Sequence, residues 1–212
     1  ANNTDLKSFV IPNGVVNIES GAFSGCTNLI TVEIPNTVTS INYSAFANCE
    51  YLRSVEIGAN VTTIENAFYN CSRLHSITIP RNVTSIGKSA FEKCTGLTSV
   101  IWEAKDCQSA PFEDIRSQIT KVIFGDEVDV IPAHLCDNMN KLVEVTIPNG
   151  VKRIGEKAFY GCNRITSVII PDSVTSLGVG AFQGCTALKT LKTGNGVGLL
   201  PGSYYDSGNY YR

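Results

Sequence analysis

Apolar residues recur along this chain at a long, fixed period. Leu6, Leu29, Leu52, Leu74, Leu97, Ile119, Leu142, Ile165 and Leu188 follow one another at intervals of 22 or 23 residues. Self-similarity at that spacing marks a solenoid whose repeats are single supersecondary units. Each landmark opens a stretch such as Leu29-x-x-Val32-x-Ile34-Pro35 or Leu142-x-x-Val145-x-Ile147-Pro148. Alternation sends Val32 and Ile34 to one face and Thr31 and Glu33 to the other, and β-branched residues favour extended backbone. The proline then removes a ladder donor, and Pro12-Asn13-Gly14 or Pro148-Asn149-Gly150 supplies turn chemistry, so the chain turns a corner there.

A second apolar pair follows the corner, as in Val38 and Ile41 or Val151 and Ile154. After it come Ala22-Phe23, Ala45-Phe46, Ala67-Phe68, Ala90-Phe91, Ala158-Phe159 and Ala181-Phe182, with a cysteine three residues beyond each phenylalanine. Phe and Cys at i and i+3 fit one turn of helix. The residue before the cysteine is Gly25, Asn48, Asn70, Gly161 or Gly184, types that accept the left-handed conformation that ends a helix, with Lys93 the exception. No such unit buries its apolar face alone, so coils must stack on a shared core. The expected fold is an α/β repeat solenoid of about nine coils, with a parallel β-sheet on one side, short helical turns on the other, and residues 1–212 forming one domain.

The pattern Ile-Pro-x-x-Val-x-x-Ile-x-x-x-Ala-Phe-x-x-Cys-x-x-Leu is complete from Ile34 to Leu52, and from Ile147 to Ile165 with a conservative last residue. It resembles the BspA-like class of leucine-rich repeats, and the resemblance runs from about residue 6 to residue 200. That class is found in surface proteins of gut and oral bacteria, spirochaetes and some parasitic protists, and its namesake looks like a host-matrix binding antigen. The resemblance therefore implies adhesion, although the fold itself serves many partners.

Two stretches depart from the pattern. Phe112 lies five residues past Cys107, as Phe46 lies five past Ile41, which places Cys107 in an apolar core slot. This coil has lost two residues before that slot, puts Ile115 where the ladder cysteine belongs, and inserts one residue before Ile119. The next coil sets Cys136 in the Phe slot and Met139 in the Cys slot. Residues 103–118 thus form an irregular coil, and 103–139 is the expected place for a local bend or a distinctive surface. At the other end Leu200, Tyr205, Gly208 and Tyr211 fall in successive repeat slots, so residues 200–212 are expected to be a degenerate terminal coil. Tyr205 would pack on Phe182 and close the core while keeping its hydroxyl wet.

Composition narrows the function. With 43% hydrophobic residues, 17% charged and a formal net charge of -2, the chain is too apolar to be disordered and carries no electrostatic footprint for nucleic acid. No run of lysine or arginine suggests an anionic membrane, and no apolar stretch reaches the roughly 18 residues of a span. The polar start Ala1-Asn2-Asn3-Thr4-Asp5 does not read as a signal peptide. Six of the eight cysteines, Cys26, Cys49, Cys71, Cys94, Cys162 and Cys185, recur at the repeat period and should form an internal column. Stacking in line holds neighbouring Cβ atoms about 4.8 Å apart, outside the roughly 3.5–4.5 Å of a disulfide, so buried free thiols are expected. A linear column without a Cys-x-x-Cys pair cannot surround zinc, so no metal is expected. His75 and His134 lie in different coils away from any nucleophile motif. Neither a catalytic constellation nor a cofactor motif can be read, and the chain is not expected to be an enzyme.

What remains is a surface. Thr31, Glu33, Ser54, Glu56, Ser76, Thr78, Lys121, Glu144 and Thr146 occupy outward strand positions and form the candidate binding face, which Ser167, Thr190 and Lys192 extend. Glu33 and Glu56 fall in the same slot of successive strands, about 5 Å apart, where a cation or a basic group could bridge them. Short polar side chains suit broad contact with a host extracellular protein or glycan, and the lack of aromatic anchors implies modest affinity per module. The expected role is a non-enzymatic adhesion module, extracellular or at the cell surface, with no nucleic-acid partner and no direct membrane insertion. The alternative is a structural spacer that associates weakly end to end without a specific ligand.

Overall fold

The computed structural model describes residues 2–194 together with two short strands, Tyr205–Asp206 and Asn209–Tyr210, that pair antiparallel with each other. The terminal-coil expectation, with Tyr205 covering Phe182, concerns side chains outside the described residues. Two series of parallel strands run along the solenoid. The first comprises Ser8–Val10, Thr31–Ile34, Ser54–Ile57, Ser76–Ile79, Ser99–Trp102, Lys121–Phe124, Ser167–Ile170 and Thr190–Thr193. These strands pair one repeat apart, Ser8 with Thr31, Thr31 with Ser54, Ser76 with Ser99, Ser99 with Lys121, and Ser167 with Thr190. Beyond the corner lies the second series, Asn17–Ile18, Ser40–Ile41, Thr63–Ile64 and Ser85–Ile86 in one sheet and Val130–Ile131, Arg153–Ile154 and Ser176–Leu177 in another.

Among the described residues the first series holds eight strands, not the nine that the landmark residues suggest. Residues 142–147 keep Val145 and Ile147 buried but form no strand. A landmark leucine registers packing, whereas a strand also needs ladder bonds to its neighbours, and these are not formed there.

The short helical turns are likewise absent. Among the described residues there is no α-helix, and the helical element present is the three-residue 3-10 helix Arg116–Gln118. Backbone donors explain the difference. The amides of Ala22, Ser24 and Cys26 each donate three residues back, to the carbonyls of Glu19, Gly21 and Phe23, at 3.1 Å. The amides between them, of Gly21, Phe23 and Gly25, donate across to Tyr43, Ala45 and Ala47 of the next coil at 3.0, 2.7 and 2.8 Å. An α-helix keeps its interior amides for its own carbonyls. A coil that gives every second amide to its neighbour forms a chain of tight turns instead, and the Phe-to-Cys spacing suits both arrangements.

Left-handed residues set those turns. Gly25, Asn48, Asn70, Gly161 and Gly184 have positive φ, as their types predict, and Ser44 and His134 form part of a further set four residues upstream of this position. Lys93 adopts the same conformation at φ 60 despite its side chain, at a cost of roughly 1–2 kcal/mol. Its ammonium sits 4.8 Å from the centre of the Tyr69 ring and bonds to the Tyr69 hydroxyl.

One hydrophobic core runs from Ile11 to Leu188. Along it Phe23, Phe46, Phe68 and Phe91 stack, with ring centroids 5.1, 5.3 and 5.7 Å apart and near-parallel planes. The stack reaches Phe112 and stops where Cys136 takes the next slot. There Phe124 approaches Phe159 edge-on at 6.2 Å, and stacking resumes onto Phe182. All eight cysteines are buried and free. The Cys49, Cys71, Cys94 and Cys185 thiols donate to the carbonyls of Phe23, Phe46, Phe68 and Phe159 in the preceding coil at 3.0–3.2 Å. A cysteine in this slot therefore fills apolar volume and also bonds a carbonyl of the coil beneath it.

The irregular coil keeps its core slots, with Cys107, Ile115, Cys136 and Met139 all buried. Its backbone departs from the pattern, and the second strand series is interrupted between Ser85–Ile86 and Val130–Ile131. Side chains replace the lost bonds. The Ser109 hydroxyl accepts from the Ile86 amide at 2.9 Å, and the Gln118 side-chain amide donates to the carbonyls of Cys94 and Leu97 at 2.6 and 3.2 Å.

Candidate functional site

Strand register sorts the outward side chains of the first series into two columns. One contains Ser8, Thr31 and Ser54, then Ser76, Ser99 and Lys121, then Ser167 and Thr190. The other contains Val10, Glu33 and Glu56, then Thr78, Ile101 and Ile123, then Ile169 and Lys192. Parallel pairing spaces neighbours within a segment about 4.8 Å apart.

Seven of the nine face residues read from the sequence fall in these columns. Thr31, Ser54, Ser76 and Lys121 share the first, and Glu33, Glu56 and Thr78 the second; Thr78 is half-buried and the others are exposed. Glu144 and Thr146 are also exposed, but they lie in the unpaired stretch 142–147, where no strand register holds them in a column. Glu33 and Glu56 are direct cross-strand partners. Like charges so opposed disfavour each other, and among the described residues no cation pairs with either.

Three isoleucines on this face escaped the sequence reading. Ile123 is 41% exposed, Ile169 is 63% exposed and Ile101 is half-buried. The signal was present, because each stands four residues past its landmark, as Glu33 and Glu56 do. In a strand rich in isoleucine and valine only that parity separates an outward side chain from a core one.

A second assembly flanks the irregular coil, with all but Lys88 inside residues 103–139. Lys88 lies 3.0 Å from Glu113, and Arg116 lies 3.6 Å from Glu113 and 3.2 Å from Asp137. His134 completes the set, with Nδ1 3.1 Å from the Asp137 carboxylate. The hydrogen bond and charge of Lys88 hold the Glu113 carboxyl below its ordinary range. Lys88, Glu113, Arg116 and Asp137 each have an opposite partner, and the cluster braces the irregular coil. His75 is elsewhere, exposed, with its ring nitrogen at the Arg73 carbonyl. Among the described residues no cluster of three or more His, Cys, Asp or Glu could hold a metal ion, and no helix is long and apolar enough to cross a membrane.

Parallel strands wound at this period over buried landmark leucines define a leucine-rich-repeat solenoid. The BspA type leucine rich repeat region matches in six copies over residues 1–113 and 105–205, and the chain belongs to that family. No curated protein matches the sequence. Among solved structures, a leucine-rich repeat protein from Bacteroides ovatus ATCC 8483 is 25% identical with a TM-score of 0.60, over 88% of this chain and 61% of that one. This chain therefore spans only about three fifths of that protein's length. The T. pallidum leucine rich repeat protein TpLRR is 26% identical with a TM-score of 0.50, over 86% of this chain and 78% of its own.

Proposed function

We propose that this chain is a non-enzymatic binding module of a cell-surface or secreted protein, and that it engages a host extracellular protein or glycan through the outward face of its first strand series. The column Thr78, Ile101, Ile123 carries this reading. These side chains stand on the outward face of a sheet whose other face forms the core, and Ile123 keeps 41% of its surface exposed there. Fully burying an isoleucine stabilises by about 1.5–3 kcal/mol, and a partner laid across the column would recover the fraction of this that the exposed part of Ile123 represents. Glu33 and Glu56 add an unpaired acidic pair on the same face, suited to a basic group of the partner. Membership in the BspA type family supports surface display.

The test is surface plasmon resonance of the purified chain over immobilised extracellular matrix proteins and mucin glycoproteins. Saturable binding to at least one of them is expected. Silence across the panel, together with concentration-dependent end-to-end association in light scattering, would replace this reading with that of a spacer.

A further inference from the structure

On the turn side of the solenoid, away from the strand face, a groove of roughly 350 Å³ is lined by Tyr43, Ser44, Asn48, Asn66, Tyr69 and Glu92, among others. Its polar groups are only partly used. Asn48 accepts from the Asn70 side chain through Oδ1 at 3.0 Å, and Asn66 accepts from the Ser89 amide through Oδ1 at 3.0 Å, which leaves both Nδ2 groups without a partner among the described residues. The Tyr43 and Ser44 hydroxyls and the Glu92 carboxylate also make no side-chain hydrogen bond among the described residues. Tyr43 is 57% exposed.

Three features select the ligand. First, the backbone is closed to an added strand. Ser44, Phe46 and Asn48 give their amides to Asn66, Ala67 and Tyr69 of the next coil, and Ala45 and Ala47 give theirs to Asn42 and Ser44. An extended peptide would find no ladder to join. Second, the charge is wrong for an anion. Glu92 contributes a carboxylate, and the ammonium of its neighbour Lys93 is engaged by the Tyr69 ring and hydroxyl. Third, the free groups combine donors and acceptors at short range beside an exposed aromatic ring, the mixture of Tyr, Ser and Asn that adaptable polar recognition surfaces use.

We propose that this groove binds a neutral saccharide. The C–H face of a pyranose ring lies against the negative face of the Tyr43 ring. Adjacent hydroxyls donate to the Glu92 carboxylate and accept from the Asn48 and Asn66 amides. The site shares no residue with the strand face, so it stands or falls independently of the function proposed above.

The intact chain is titrated with lactose, N,N′-diacetylchitobiose and mannotriose, monitored by saturation-transfer NMR and calorimetry. At least one probe saturates with a Kd of order 1 mM, and Tyr43→Ala and Glu92→Gln each weaken it about tenfold. Both changes are at the surface, and unchanged melting curves confirm that the variants fold. Ile123→Glu, on the strand face, leaves the affinity unaltered. The proposal is overturned if no probe binds at about 10 mM, if Tyr43→Ala and Glu92→Gln bind like the parent, or if a sulfated oligosaccharide binds more tightly than every neutral one.

Discussion

Phe46 and Phe68 belong to successive coils, and their rings stack with centroids 5.3 Å apart and planes 4° from parallel. Both are fully buried, and Phe46 also stacks on Phe23 on its other side. Phe46→Ala therefore empties a slot between two neighbours that cannot both collapse into it. The expected loss is about 3–5 kcal/mol in denaturant titration. A loss below about 1 kcal/mol would be that of an exposed site and would contradict the stack.

The thiol column predicts alkaline sensitivity. Burial pushes the Cys49 thiol up to about 12 and the Cys185 thiol up to about 11 from an ordinary 9.0. Burial also raises Cys71, Cys107, Cys136 and Cys162. The unfolded chain begins to lose these protons near pH 9 while the folded chain retains them. The contribution of each thiol is thus complete below that pH and is lost as pH rises toward the folded value, by up to about 1.4 kcal/mol per unit. Melting temperature should hold steady between about pH 7 and 8.5 and fall sharply by about pH 10.5. Thiol reagents should leave the native column unmodified and label it after unfolding without reductant. A melting temperature flat through this range, or rapid native labelling, would contradict the buried column.

The irregular coil depends on Gln118. Its side-chain amide serves the carbonyls of Cys94 and Leu97, and the Cys94 carbonyl also accepts from the Leu97 amide at 3.0 Å. Gln118→Leu keeps the bulk but leaves the Leu97 carbonyl without a donor and the Cys94 carbonyl with the Leu97 amide alone, at an expected cost of about 1–3 kcal/mol. Hydrogen exchange should show the loss concentrated around residues 94–120. A variant as stable as the parent would mean that water replaces the amide at no cost.

Much of this fold was legible because it repeats. The leucine period located eight of the nine expected strands, and residues 142–147 form none. The slot count placed Cys107, Cys136 and Met139 in the core, where they are buried. What could not be read was set by the neighbouring coil. Whether Phe23 begins a helix depends on where its amide goes, and its acceptor, Ala45, belongs to the next repeat. Arg116 meets Asp137 of the next coil at 3.2 Å, a contact between coils that residue type alone does not announce. On the strand face the polar positions announced themselves by residue type, whereas Ile101 and Ile123 had to be found by parity.

The binding role of the strand face is tested most directly by placing one charge on it and one charge elsewhere. Ile123 lies in the outward column at 41% exposure, and Val179, at 67%, is an exposed apolar residue on the turn side. Ile123→Glu and Val179→Glu are compared with the parent by surface plasmon resonance over a matrix protein or mucin that the parent binds. Ile123→Glu should weaken binding at least about tenfold while Val179→Glu leaves it unchanged. Parental affinity in Ile123→Glu, or an equal loss in both variants, would contradict the assignment of the strand face as the binding surface.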